Sequence, residues 1–258
     1  FIELPRDMVD VIPHIAHPWH EPAALVDSQV MEEAVAEALT LLAQAKKPLI
    51  LAGIEMHRFG LQDKVVALAE KMGLPIAATL LGKSVVPETH PQYIGLYEGA
   101  MGHANVTQYV EESDCVILLG TFMTDINLGI FTANLSPDQC IYATSEKLRI
   151  RQHHFQEVLL PDFIRALTAR AEELINPTAV PRTPPKRQDA GSFVIQPDQP
   201  IGIRRLMSRL NEQLDDETIV IADIGDSLFA ATELVTHGRS EFLSPAYYTS
   251  MGFSLPAA

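Results

Sequence analysis

The sequence predicts an α/β fold: a doubly wound parallel sheet followed by the beginning of a second α/β domain. Three observations predict it. Short, wholly apolar runs such as Leu49-Ile50-Leu51-Ala52 and Cys115-Val116-Ile117-Leu118-Leu119 recur along the first two thirds. Strands buried on both faces have this composition, because neither face meets water. Segments with the 3.6-residue repeat of an amphipathic helix alternate with them, as helices covering a parallel sheet do. A stretch rich in proline then interrupts the alternation, which resumes beyond it.

Taken in order, Phe1 to Pro5 reads as the end of a strand, and residues 1–25 as the tail of a preceding domain and a linker. Asp27 and Ser28 suit a helix start, and Met31, Val35, Ala38, Leu42 and Ala45 form its apolar face. Lys46 and Lys47 suit its carboxyl end, and Pro48 stops it. The first buried strand follows. Gln62 to Met72 predicts a helix, Ile76 to Leu81 a strand, Asn105 to Glu112 a helix, and Cys115 to Gly120 a strand. Cys140 to Ala143 predicts another strand and Val158 to Leu160 a last short one, with a helix from Asp162 to Leu174. Together, residues 26–175 read as one Rossmann-like domain.

Between residues 176 and 200, Pro177, Pro181, Pro184, Pro185, Pro197 and Pro200 predict an interdomain linker. Ile203, Leu206, Met207, Leu210 and Leu214 give a helix leading to the strand Ile219 to Ala222. A second, truncated domain is therefore expected over residues 201–258.

Composition narrows the function. A net charge of −14 leaves no basic surface to displace counterions from nucleic-acid phosphates. No apolar run reaches the roughly 18 residues a membrane-crossing helix needs. Cys115 and Cys140 lie in apolar runs and read as reduced core thiols, the habit of a cytoplasmic protein.

The chemistry-bearing residues cluster near the end. Ile221-Ala222-Asp223-Ile224-Gly225-Asp226-Ser227-Leu228-Phe229 reads as a strand, a tight turn at Gly225 and a helix start. Backbone N–H groups and a hydroxyl at such a turn can converge on an anion. The carboxylate of Asp226 opposes a bare phosphate there, and helix capping by Asp226 or Ser227 is the plainer reading of the triplet. In Thr249-Ser250-Met251-Gly252-Phe253-Ser254-Leu255-Pro256-Ala257-Ala258, Met251 beside Gly252 suits backbone lying against a flat ligand. Gly95, Gly99 and Gly102 do not have dinucleotide-loop spacing. His153-His154 reads as a surface or loop pair, Arg58 as a solvated loop residue, and Asp63, Glu70 and Lys71 as the outer face of a helix.

These two stretches resemble the opening of the diphosphate-binding domain of thiamine-diphosphate-dependent 2-oxo acid decarboxylases, the pyruvate, indolepyruvate and phenylpyruvate decarboxylases. The stretches 52–62, 79–84 and 93–102 resemble the central domain of the same enzymes, in phrasing closer to the aryl-pyruvate branch. The resemblance implies that Gly225, Asp226 and Ser227 hold the diphosphate of the cofactor. It implies further that the Thr249 carbonyl accepts from the aminopyrimidine, that Met251 wedges the cofactor into a bent form, and that Ile224 faces the substrate. It implies Mg2+, a homodimeric or homotetrameric complete enzyme, and a small 2-oxo acid as substrate. The family's glutamate and His pair belong to an N-terminal domain, and its Gly-Asp-Gly metal motif would follow Ala258. Accordingly no catalytic residue or metal ligand is assigned, and the piece alone is expected to be inactive and to bind the cofactor weakly. A flavin-binding carboligase resembling acetolactate synthase and a non-catalytic α/β nucleotide-binding or regulatory module are the alternative readings.

Overall fold

The computed structural model describes residues 6–8, 10–12, 14, 27–174, 193–238 and 240–258. The expected amino-terminal strand end and most of the proline-rich linker lie outside the described residues. Seven strands form the main sheet: β1 (Pro48–Ala52), β2 (Ile76–Thr79), β3 (Tyr93–Tyr97), β4 (Cys115–Leu119), β5 (Cys140–Ala143), β6 (Leu148–Ile150) and β7 (His153–Phe155). Their spatial order is β3-β2-β1-β4-β5-β6-β7. The first five run parallel, whereas β6 and β7 turn back antiparallel.

Alternation along β1 shows why its run is apolar throughout. Ile50 and Ala52 enter one core layer with helices α1 (Ser28–Gln44), α3 (Gln62–Met72) and α5 (Leu160–Ala169). Leu49 and Leu51 enter the opposite layer, under Val106 and Val110 of α4 (Ala104–Glu111). Between β1 and α3 lies the single turn α2 (Glu55–Arg58). Asp27 caps α1, its Oδ1 accepting from the N–H groups of Gln29 at 2.8 Å and Val30 at 3.2 Å.

The structure corrects several expectations. Val158 to Leu160 forms no strand; α5 begins at Leu160 with Pro161 in its first turn, where a missing N–H costs no helical bond. That helix stops at Ala169, and a 3-10 turn covers Ala171–Leu174. The strand expected over 76–81 ends at Thr79 and tightens into a 3-10 turn, Leu80–Gly82. Lys46 and Lys47 lie beyond α1 rather than closing it, and their backbone N–H groups both donate to the Asp114 carboxylate at 2.7 Å. His153 and His154 lie on the surface, as expected, but in strand β7 at the sheet edge, with His153 Nδ1 2.9 Å from Glu37 Oε2. Gly95 is part of β3.

Beyond residue 193 a smaller unit contains α6 (Ile203–Asn211), the parallel pair β8 (Val220–Ile221) and β9 (Phe242–Leu243), α7 (Asp226–Ala231) and α8 (Ser254–Ala257). The helix expected to reach Leu214 thus ends at Asn211, and the expected strand over 219–222 shrinks to two residues. No residue of α6 is fully buried. Ala222, Leu228, Ala231, Leu234, Phe242 and Ala246 pack together with Leu80 of the main unit.

Candidate functional site

A buried charge lies at the centre of the join between the smaller unit and the larger. Lys83, directly after the Leu80–Gly82 turn, has a side chain with no solvent exposure. Its Nζ donates to Glu88 Oε1 at 2.5 Å, to the Leu234 carbonyl at 2.8 Å and to the Thr232 carbonyl at 3.1 Å. Among the described residues three acceptors thus meet the ammonium's N–H donors, as a buried ammonium requires. Thr232 is the residue that ends α7, so the cation also sits at the negative end of that helix. Glu88 continues the join: its N–H donates to the Thr236 carbonyl at 3.0 Å, and Tyr93 donates to its Oε1 at 3.3 Å. Ser84 Oγ accepts from Phe242 N–H at 3.0 Å.

The other end of α7 is the Gly225 turn. Gly225 precedes the helix with φ 76° and ψ −145°, and no side chain caps the first N–H groups. A Cβ at Gly225 would touch nothing within 4 Å, so the turn is open on that side. Gly225, Asp226 and Ser227 are exposed, and Ile224 is half-buried. Ser227 Oγ lies 2.9 Å from both the Asp223 and Ile224 carbonyls, so its proton points back into the turn and its lone pairs outward.

Sequence reasoning quoted Asp223 without giving it a role, and the structure gives it the central one. Its Oδ2 accepts from Gly252 N–H at 2.8 Å and lies 3.4 Å from Ser254 Oγ, while Oδ1 accepts from Ile224 N–H at 3.2 Å. Desolvation pushes this carboxyl upward, but the N–H groups of Gly252, Ile224, Phe253 and Ser254 outweigh it and hold it below the ordinary range. One carboxylate thereby joins the Gly225 turn to the segment carrying Thr249 and Met251. Thr249 adopts φ 52°, unusual for a branched residue, with its N–H donating to the Pro245 carbonyl at 2.8 Å. Gly252, at φ 80°, likewise has open space where a Cβ would stand. Met251 is 86% exposed. The signal that could have found Asp223 is a carboxylate two residues before a glycine turn, where it can reach backbone donors.

Residues 35–169, more than half of the chain, match the family model described as thiamine pyrophosphate enzyme, central domain. The chain belongs to this family. Among curated relatives, it is 28% identical over 261 residues to the indole-3-pyruvate decarboxylase of Azospirillum brasilense, with all of this chain and 46% of that protein covered. It is 26% identical to the pyruvate decarboxylase of Hanseniaspora uvarum, over 90% of this chain and 41% of that protein. Pyruvate decarboxylase 1 of Pisum sativum is 28% identical, over 95% of this chain and 43% of that protein. The chain therefore spans less than half the length of these relatives.

Thiamine diphosphate is the family's cofactor, and the geometry around Asp223 fits it. Uncapped N–H groups at the start of α7 suit a diphosphate, the two glycines leave open faces beside one carboxylate, and an exposed thioether stands next to them. Asp226 is the feature that opposes an anion, and a cation accompanying the diphosphate would offset it. Among the described residues no group of three or more His, Cys, Asp or Glu side chains could hold a metal ion. Nor is any helix among them long and apolar enough to cross a membrane.

Proposed function

We propose that this chain is part of a thiamine-diphosphate- and Mg2+-dependent decarboxylase of 2-oxo acids, with aryl-pyruvates such as indolepyruvate or phenylpyruvate as substrates. The observation that carries the reading is the Asp223 carboxylate joining the Gly225 turn to the Met251-Gly252 segment. When bound, the cofactor supplies an electron sink for the pair left behind as CO2 departs. The chain's own part is positioning. Gly225, Asp226 and Ser227 would receive the diphosphate, mainly through backbone N–H groups. Thr249 would offer its carbonyl to the aminopyrimidine, and Met251 would supply apolar bulk beneath it. Holding the reacting atoms together in this way replaces an improbable encounter by a local one. Ile224, apolar and half-buried, would face the substrate and favour a large hydrophobic side chain by roughly 1–3 kcal/mol.

Two buried thiols accord with a cytoplasmic enzyme, burial pushing Cys115 up to about 12 and Cys140 up to about 11. The reading extends to a homodimer or homotetramer of the complete enzyme, with domains 26–175 and 201–258 joined by the linker 176–200. Against the flavin or nucleotide alternatives stands the switch point between β1 and β4, where doubly wound sheets open a ligand crevice. A Cβ on Gly53 would come within 2.3 Å of the Gly120 carbonyl, so the loops after these strands touch.

The test is CO2 release by the protein expressed in full, with thiamine diphosphate and Mg2+, from indolepyruvate, phenylpyruvate and pyruvate. Release favouring the aryl substrates is expected, with Ile224→Thr shifting the preference toward pyruvate. No release from any of the three, or flavin copurifying with the protein, would overturn the reading.

A further inference from the structure

The residues read as cofactor contacts lie in two stretches, 224–227 and 249–252, that are not neighbours in sequence. Packing does little to fix their spacing. A Cβ at Gly225 or at Gly252 would meet nothing within 4 Å, and Tyr248 and Met251 are 80% and 86% exposed. Upstream, Tyr247 reaches the Phe122 ring of the main unit, with 6.1 Å between centroids. From Tyr248 to Gly252 every residue is exposed, yet Thr249 holds a φ of 52°. A branched residue keeps such a backbone only where bonds around it hold the chain.

Among the described residues, the hydrogen bonds that cross from 223–227 to 249–254 all end on one side chain. Asp223 Oδ2 accepts from Gly252 N–H at 2.8 Å and stands 3.4 Å from Ser254 Oγ. The N–H groups of Phe253 and Ser254 act on the same carboxyl. Asp223 is itself anchored on both sides. Ala222 before it is buried and donates to the Leu243 carbonyl at 2.9 Å, and the Asp223 carbonyl accepts from Ser227 Oγ at 2.9 Å.

We propose that Asp223 is the positioning residue of this site: its carboxylate sets the spacing between the diphosphate turn and the aminopyrimidine segment, so that one cofactor engages both. The inference rests on the thiamine-diphosphate reading above and goes beyond it in naming what couples the two halves. Asp223 need touch no cofactor atom. A ligand bound at both ends makes its second contact as an intramolecular event, and the gain depends on how firmly the half-sites are held. Loosening the tie removes that gain from a two-ended ligand. A ligand that fills one half alone loses nothing. A carboxylate suits the task because both of its oxygens accept only, and here they face N–H donors from Ile224 and Gly252. An amide in its place turns an NH2 group toward one of those donors and keeps a single bond. The negative charge also opposes an anion at the turn, so its removal should favour pyrophosphate slightly rather than weaken it.

The experiment takes the protein expressed in full and measures by calorimetry, with Mg2+ present, the affinities for thiamine diphosphate and for inorganic pyrophosphate. The parent should bind thiamine diphosphate the more tightly. In Asp223→Asn that affinity should fall by about tenfold or more, while pyrophosphate binds as well as before or slightly better. Asp223→Glu, which keeps an accepting carboxylate on a longer arm, should recover most of the lost discrimination. Pyrophosphate binding also reports that the Gly225 turn is intact, so a collapsed variant is recognised by losing both ligands. Equal loss of the two ligands in the Asn variant, or unchanged thiamine diphosphate binding, would overturn the proposal. A parent that does not prefer thiamine diphosphate to pyrophosphate would overturn the cofactor reading, and the proposal with it.

Discussion

Glu88 and Glu98 stand on either side of β3, both buried and both facing the smaller unit, yet their surroundings differ in one respect. Glu88 has an ammonium at 2.5 Å and further donors from Tyr93 and from the 232–236 segment. Glu98 feels Lys83 through its charge, and its Oε1 is an oxygen that no donor reaches. The difference teaches what makes a buried carboxylate part of the structure rather than a strain upon it. Coulombic attraction in a dry interior offsets desolvation only when hydrogen bonds fill the remaining lone pairs. The seam between the units thus holds a closed join and an open one, about one strand apart.

The sharpest way to break this comparison is Lys83→Met. It strands Glu88 without a counter-charge and frees two carbonyls at the end of α7, so a loss of roughly 3–5 kcal/mol is expected in urea denaturation. The double variant Lys83→Met/Glu88→Leu should recover much of that loss. If the single and double variants were equally unstable, the pair would not be the join. Glu98→Gln should act in the opposite direction. Its carboxyl is raised in the folded chain, so folding favours the protonated form; that stability falls as pH rises from about 4.5 to about 7 and stays lost above it. The Gln variant should therefore be more stable than the parent by roughly 2 kcal/mol at alkaline pH, with the gap closing toward pH 5. A constant gap across pH would show that ionisation is not the cause. The smallest effect belongs to Asp223→Ala, away from the seam. Amide exchange at Gly252 and Ile224 should quicken while the melting temperature of the main unit stays the same.

How far the sequence reveals this arrangement depends on the range of the interaction. Leu49 to Ala52 and Cys115 to Leu119 declare buried strands because every residue there is apolar, whichever face it takes. Tyr93 to Tyr97 escaped the pattern reading because Gly95 interrupts it, and Gly95 is accepted there because a Cβ would strike Val106 at 2.8 Å. The antiparallel return of β6 and β7 was equally hidden: three-residue strands carry too little periodicity to announce a direction. Gly225, Ser227 and Met251 stood out as local signals of turn and bulk. Lys83, Glu88 and Asp223 did not, since a single charged residue in sequence looks the same whether it meets water or a partner far along the chain.

The Lys83 join has a consequence for the order in which the protein is made. The acceptors at Thr232 and Leu234 lie 149 and 151 residues beyond the lysine, whereas Glu88 lies only five beyond it. A ribosome delivers Glu88 within moments of Lys83, but the helix end only after the rest of this stretch has been synthesised. Of these three acceptors the glutamate alone is at hand during that interval, and α7 brings the other two. Closing so long a loop is also entropically slow. Seating of the smaller unit is therefore a late event in folding, on a main sheet that is already complete.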